Sequence, residues 1–178
     1  MSVAKTKVAI LIDHSNLRHT YLGSPFLKSK GKLDYRKLIN SISTTNEDLV
    51  GKIIFLNREL AGQALCMIFA QKGFETIEKG TKTIRQKDGT DKLKCNLDVE
   101  ISIVAMQMVF DRVLYPVKPE KIIIVAGDSD FEMLGQTLID YGIKVEFVFF
   151  SSNFAKELRQ NFSSRLIDQM PVWSEYET

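Results

Sequence analysis

The sequence lacks several features that identify common classes of protein. Its 178 residues include only two cysteines, Cys66 and Cys95, which form no CxxC pair, so a zinc knuckle and a dithiol redox motif are excluded. No apolar run approaches the roughly 20 residues that a membrane-spanning helix needs, and the N-terminus has no secretory pattern. The formal net charge is only +2, so total charge indicates no partner by itself. We therefore expect a cytoplasmic protein with reduced thiols and no membrane contact.

Apolar segments with strand and helix patterns alternate along the chain. Short runs rich in branched residues, such as 7–12 and 121–126, predict buried strands, and segments with helical spacing separate them. This alternation is typical of right-handed βαβ units, so we expect an α/β fold with a mostly parallel central sheet. No repeat and no change in composition marks a boundary. The expectation is one domain over residues 1–178, with its core at about 7–168.

Three segments of the chain predict particular local structures. Residues 79–94 are polar and contain glycine, which predicts an irregular loop. The apolar residues that follow predict a long, mostly buried helix from Leu97 to Leu114, ended by the prolines after it. A short helix over residues 153–160 is expected to be followed by a tail.

Acidic residues follow the predicted strands at the edge of the sheet where parallel α/β folds bind ligands. Asp13 directly follows the first strand, and Asp128 and Asp130 follow the strand at 121–126. Asp98 lies near the start of the long helix. Carboxylates that converge repel one another, and a hard cation such as Mg²⁺ or Mn²⁺ relieves that repulsion. The pattern predicts a metal site formed by Asp13, Asp98 and Asp128.

Most of these acids, taken alone, also have a structural explanation, although Asp128 is less well explained than the others. Asp13 is a polar residue that ends a strand and can cap the next turn. Ser129 and Glu132 fit the S-x-x-E capping box, with Asp130 in the first helical turn beside the positive helix end. Asp98 follows Asn96, a suitable N-cap, and an acid at that position stabilises a helix. The metal site therefore depends on the acids converging in space.

Three sequence blocks, in this order, resemble the NYN domains of the LabA-like group, which belongs to the PIN-like nuclease superfamily. The blocks are Ile12–Asn16 (IDHSN), Lys94–Glu100 (KCNLDVE) and Val125–Phe131 (VAGDSDF). The strand and helix order from Lys7 to Phe150 is similar to that family as well. The resemblance implies a Rossmann-like three-layer sandwich and metal-dependent cleavage of RNA.

The resemblance also implies roles for individual residues. It casts Asn16 as a residue that orients a cluster carboxylate or the substrate. It implies that the acidic catalytic residues are Asp13, Asp98, Asp128 and Asp130. Many members of the family carry a further aspartate where Val104 stands here, and Glu100 is expected to point to a different side of the helix. This departure puts a second metal ion, and with it the catalytic rate, in question.

Basic residues crowd the polar stretch before Asp98 and predict sequence-independent contacts with RNA phosphates. The residues expected to contact RNA are Lys82, Arg85, Lys87, Lys94 and Ser129. Acidic residues dilute this cluster, so a solvated loop surface is the alternative.

The leading hypothesis is thus a ribonuclease that uses Mg²⁺ or Mn²⁺ to cleave single-stranded RNA. A catalytically weak RNA-binding or regulatory module of the same fold is the first alternative. The second is a haloacid-dehalogenase-like phosphatase, which Gly127–Leu134 faintly resembles, although that chemistry needs an acid where Ser15 stands. A homodimer is a candidate assembly.

Overall fold

The computed structural model describes residues 4–85, 89–152 and 155–175. Within these ranges the strands are β1 (Thr6–Asp13), β2 (Lys32–Leu33), β3 (Glu47–Asn57), β4 (Glu75–Lys79), β5 (Lys82–Arg85), β6 (Asp91–Lys94), β7 (Lys121–Val125), β8 (Lys144–Phe149), β9 (Ser163–Leu166) and β10 (Trp173–Ser174). The helices are α1 (His14–Gly23), α2 (Pro25–Ser29), α3 (Tyr35–Ile42), α4 (Gln63–Gln71), α5 (Asp98–Phe110), α6 (Glu132–Asp140) and α7 (Lys156–Asn161). Short 3-10 helices cover Ser129–Phe131 and Ile167–Gln169.

Six strands form the central sheet in the order β4-β3-β1-β7-β8-β9, and every neighbouring pair is parallel. Side chains alternate across a strand, so β1 sends Ala9 and Leu11 to one face and Ile10 and Ile12 to the other. One face packs against α5 and α6, and the other packs against α1, α3 and α4. The predicted α/β sandwich with a mostly parallel sheet is confirmed, while the single domain over 1–178 stays a prediction.

The strand order places a topological switch point at the middle of the sheet. From β1 the chain builds outward through β3 and β4, and then it crosses to β7 on the other side of β1. Loops diverge where the order reverses, which leaves a crevice at the carboxyl ends of β1 and β7. The residues that end these two strands therefore face a natural ligand site.

The polar stretch at 79–94 is more regular than the sequence predicts. Strands β5 and β6 form an antiparallel hairpin, with Lys82 opposite Lys94 and Arg85 opposite Asp91. The expected irregular loop is wrong, because paired backbone groups stabilise these short strands although their side chains are mostly polar. The hairpin is a separate two-stranded sheet beside the central one.

Helix α5 ends at Phe110, four residues before the predicted end, and its proline neighbours do not end it. The guanidinium group of Arg112 donates hydrogen bonds to the carbonyls of Met108 and Val109, which the helix end leaves without partners. The carboxylate of Asp111 accepts from the backbone N–H groups of the next turn. The helix is also less buried than predicted, since the side chain of Ile103 is 52% exposed. Within the described ranges, no helix has the length and apolar character that spanning a bilayer requires.

The predicted C-terminal tail is instead part of the fold. Strand β9 pairs with β8 and completes the sheet, and β10 pairs with β2. The guanidinium of Arg165 contacts the buried carboxylate of Glu146 and donates to the carbonyls of Ser41 and Ile42, each at 3.0 Å. The amino group of Lys121 also lies 2.5 Å from Glu146. These contacts attach the last segment to both β8 and the end of α3.

Candidate active site

Asp13 occupies the junction between β1 and α1. It is the last residue of β1 and the N-cap of α1, and its Oδ1 accepts a hydrogen bond of 2.9 Å from the backbone N–H of Asn16. Its side chain is only 5% exposed. The capping role explains why an acid is tolerated here, and the strand places that acid at the switch point.

Asp128 has the matching position after β7. It is the N-cap of the 3-10 helix at Ser129–Phe131, and its Oδ1 accepts from the backbone N–H of Asp130 at 3.2 Å. The capping box predicted for Ser129 and Glu132 is wrong, because a 3-10 turn precedes α6 and Asp128 caps that turn. The carboxylate of Glu132 instead accepts from the side-chain amide of Asn161 at 2.8 Å.

Three acids form the tightest group in this region. Asp98, Asp128 and Asp130 each offer a carboxylate oxygen, and these oxygens all lie within 4.8 Å of one another. Asp98 stands at the start of α5, where its backbone N–H donates to Oδ1 of Asn96 at 2.9 Å. The sequence predicts Asp13 as the third metal ligand, whereas the tightest group contains Asp130.

Asp13 nevertheless shares the electrostatic environment of this group. Burial, with smaller contributions from the charges of Asp98 and Asp128, raises the pKa of Asp13 from 3.8 to about 6, although hydrogen bonds from the Asn16 and Ser15 backbone oppose this rise. The acids therefore repel one another across a short distance. An all-carboxylate set of oxygen donors with this repulsion fits a hard divalent cation such as Mg²⁺ or Mn²⁺.

Asn16 connects the two strand ends that carry the acids. Its backbone N–H binds Asp13, and its side-chain Oδ1 accepts from the backbone N–H of Gly127 at 3.2 Å. The orienting contact expected for Asn16 thus reaches Asp13 through the backbone. The side chain holds the loop after β7 in place, directly before Asp128.

These residues line a cavity of about 620 Å³ at the carboxyl edge of the sheet. The lining residues that the acidic motif predicts are Asp13, Asn16, Asp98, Asp128 and Asp130. Sequence reasoning misses Asn57, Glu59, Thr81 and Cys95 as lining residues. The strand-end rule could have found Asn57, because it is the last residue of β3.

Those residues expected to contact RNA that the structure describes do not line the cavity. Lys82 and Arg85 are exposed on β5, and Ser129 is exposed between Asp128 and Asp130. Lys87, with residues 86–88, lies outside the described residues, and so does the side chain of Lys94. No Lys or Arg is among the cavity-lining residues in the described part of the chain.

The departure from the family pattern at Val104 does not touch the acidic group. Val104 is 7% exposed and packs in the core with Ile101 and Ala105, and it does not line the cavity. Glu100 is not among the described residues that line the cavity, and its carboxylate lies 2.5 Å from the amino group of Lys79. An apolar residue at 104 therefore removes no lining group from the cavity.

Comparisons with known proteins agree with this architecture. The family model described as the NYN domain matches residues 7–169. A solved structure of a protein of unknown function from Vibrio parahaemolyticus is similar, with a TM-score of 0.70 and 22% sequence identity. The similarity covers 95% of this chain and 97% of that one, and it shows the shared fold. No curated protein matches the sequence.

Proposed function

Because the matched region spans nearly all of its length, the chain belongs to the NYN domain family of PIN-like nucleases, and we propose that it hydrolyses single-stranded RNA with Mg²⁺ or Mn²⁺. The family predicted from the three sequence blocks is confirmed, while the LabA-like group stays a prediction. The observation that carries the proposal is the group of three carboxylates within 4.8 Å, beside the buried Asp13 and inside one cavity.

In this proposal the acids serve chiefly as cation ligands. Asp98, Asp128 and Asp130 hold the ion, and Asp13 contributes its charge from the buried side. When bound, the cation activates water and neutralises charge on the scissile phosphate. Through its two hydrogen bonds, Asn16 fixes the loop after β7 relative to the carboxylate of Asp13. A single strand is the favoured substrate, because its backbone bends into a concave site without the cost of unpairing.

Replacing Asp128 by asparagine is expected to lower cleavage of a labelled single-stranded RNA by at least about a hundredfold, since the cation that would stabilise charge in the transition state loses an anionic ligand. Asparagine keeps the N-cap, so stability should change little. The assay compares both proteins with Mg²⁺, with Mn²⁺ and with EDTA, and the wild-type product should carry a 5′-phosphate.

Two results of this assay would contradict the proposal. Cleavage that survives EDTA or the Asp128→Asn substitution would indicate a contaminating nuclease. No cleavage with any metal, together with measurable RNA affinity, would favour the RNA-binding module. The family match gives no support to the phosphatase alternative.

The β5–β6 hairpin is the proposed RNA-binding surface. Changing Lys82, Arg85, Lys87 and Lys94 to neutral residues is expected to weaken RNA binding and to flatten its salt dependence, by about 0.7 in slope for each phosphate group that is no longer neutralised. The measurement is RNA affinity at several salt concentrations. The control neutralises Lys5, Lys118 and Lys144, which are exposed. An equal effect in both variants would contradict a specific role for the hairpin.

Other parts of the sequence interpretation are not tested by the fold. The homodimer, the cytoplasmic location and the choice between Mg²⁺ and Mn²⁺ stay predictions. Sedimentation at micromolar protein concentration measures the assembly, and metal titration in the cleavage assay measures the choice of ion.

A further inference from the structure

The cavity has a second side, next to β3, that lies apart from the group formed by Asp98, Asp128 and Asp130. Asn57 ends β3 beside Asp13, because β1 and β3 are paired and Asp13 lies opposite Phe55. Glu59 follows two residues later, and Thr81 comes from the turn after β4. All three residues line the same cavity as the acidic group.

Hydrogen bonds fix the positions of these three residues relative to one another. The backbone N–H of Glu59 donates to Oδ1 of Asn57 at 3.0 Å. The carboxylate oxygen Oε2 of Glu59 accepts from both the backbone N–H and the hydroxyl of Thr81, at 3.0 and 2.6 Å. Although Glu59 is exposed, these contacts hold its carboxylate at the cavity wall.

Asn57 offers a hydrogen-bond donor that the protein itself does not use. The residue is 4% exposed, and its side-chain oxygen is occupied by Glu59. Among the described residues, no hydrogen bond from its NH₂ group is seen, and this nitrogen is not one of the fully buried polar atoms without a partner, so it is open to the cavity. Since Asn57 lines the cavity, a ligand is the natural partner for this donor.

Glu59 supplies the complementary acceptor. Both hydrogen bonds from Thr81 go to Oε2, which leaves Oε1 to accept a further hydrogen bond. The hydrogen bonds from Thr81 also hold the pKa of Glu59 below its ordinary value, so the group is a charged acceptor. A carboxylate repels a phosphate, and it binds a hydroxyl or an amino group instead. This side of the cavity therefore suits the neutral part of a nucleotide.

We propose that Asn57 and Glu59 bind the ribose 2′-hydroxyl of the nucleotide next to the scissile bond, and that they thereby select RNA over DNA. The inference rests on the proposed nuclease function and adds a specificity site to it. A hydroxyl is both a donor and an acceptor, so it accepts from the Asn57 amide and donates to the Glu59 carboxylate. The 2′-hydroxyl is the group that distinguishes RNA from DNA at a given position.

The experiment compares one single-stranded RNA with the DNA of matching sequence. Affinities are measured with the Asp128→Asn protein and with the double variants that add Asn57→Ala or Glu59→Gln. Cleavage rates of both substrates are measured with the corresponding single variants and the wild type. Asn57→Ala removes the donor without adding a charge to the cavity, and Glu59→Gln removes the charge at an exposed position. Melting temperatures show whether each variant is folded.

We expect the Asp128→Asn protein to prefer RNA by roughly tenfold, because a site that binds a hydroxyl leaves polar groups unpaired when the hydroxyl is absent. Each added substitution should reduce that preference at least about threefold by weakening RNA binding while DNA binding stays constant. A purely structural role would lower the affinity for RNA and DNA equally, and this result would overturn the inference.

The remaining outcomes separate this inference from the proposed function. Wild-type protein that cleaves RNA and DNA equally would overturn the ribose subsite and leave the nuclease function standing. A different result is a protein that cleaves neither substrate but binds RNA more tightly than DNA, and that loses this preference with either added substitution. This result would support the subsite and contradict the nuclease function. Protein that binds neither nucleic acid would overturn both.

Discussion

Replacing Asp13 by asparagine is expected to stabilise the metal-free protein at pH 8 by about 2–3 kcal/mol while it abolishes cation-dependent cleavage. The pKa of Asp13 is raised to about 6, chiefly by burial, and each unit of pKa shift corresponds to about 1.4 kcal/mol. Above that pKa the wild type holds a charged carboxylate in a buried position beside other acids. Asparagine removes the charge and still caps α1 through the N–H of Asn16.

The pH dependence of this difference has a defined sign. A carboxyl group with a raised folded-state pKa contributes stability below its unfolded pKa, and that contribution is lost as the pH rises through the folded pKa. The advantage of Asp13→Asn should therefore be complete at pH 8 and should disappear between about pH 6 and pH 4. Burial lowers the pKa of His14 to about 4, which gives the opposite trend. Both proteins contain His14, so its contribution cancels in the comparison.

Urea denaturation in EDTA at pH 8, 6 and 4 measures the effect of the Asp13→Asn substitution. The control is Asp48→Asn, which neutralises an exposed acid on β3 and should change stability by less than about 0.5 kcal/mol. Millimolar Mn²⁺ should raise the melting temperature of the wild type more than that of Asp13→Asn, because the variant keeps the three ligands of the ion but loses the neighbouring negative charge. A variant less stable than the wild type at pH 8 in EDTA would contradict the prediction.

Ending the chain at Asn161 is expected to leave the protein unfolded. The deleted residues include Phe162, Ile167 and Val172, which are 8%, 0% and 0% exposed. Loss of one large buried apolar side chain typically costs about 2–5 kcal/mol, and whole domains have about 5–15 kcal/mol of stability. The truncation also removes β9 from the sheet edge and Arg165 from Glu146.

Circular dichroism and calorimetry measure the effect of the truncation. The truncated chain should show no cooperative thermal transition. Ile167→Ala in the full chain should keep the transition but lower the stability by about 2–5 kcal/mol. Gln160→Ala, on the exposed surface of α7, is the control and should change stability by less than about 0.5 kcal/mol. A truncated protein that melts cooperatively within a few degrees of the wild type would show that the segment is dispensable.

The acidic group could be predicted from the sequence because its acids stand at the ends of segments with a clear strand or helix pattern. Asp13 ends the buried strand β1, Asp128 follows the buried strand β7 after two residues, and Asp98 begins an apolar helix. In a parallel sheet the carboxyl ends of the strands lie at one edge, so these signals suffice to bring the acids together. They do not determine which oxygens lie closest. That depends on backbone hydrogen bonds, which turn Asp13 toward α1 and bring Asp130 into the tightest group.

The parts that could not be predicted depend on pairing between distant segments. Strand β9 reads Ser-Ser-Arg-Leu, which has little strand propensity, and it forms because β8 offers an unpaired edge. The strands of the β5–β6 hairpin are four residues each and polar, although Asp88-Gly89 between them is a known hairpin-turn signal. Thr81 joins the cavity only because β4 brings it beside Glu59. The Asp88-Gly89 signal could have indicated the hairpin, whereas a single sequence carries no local mark of the pairing that forms β9 or brings Thr81 to Glu59.

The pairing of β10 with β2 also gives the protein a built-in optical reporter. Trp173 is the only tryptophan in the chain, and its ring lies 6.4 Å from that of Tyr21 and 6.3 Å from that of Phe150. Intrinsic fluorescence excited at the red edge therefore arises from one position, where the end of the chain rests on α1 and on the residue after β8. A shift of the emission maximum follows the detachment of this segment without any added dye. Combined with stopped-flow mixing, it times that detachment against the loss of the whole sheet.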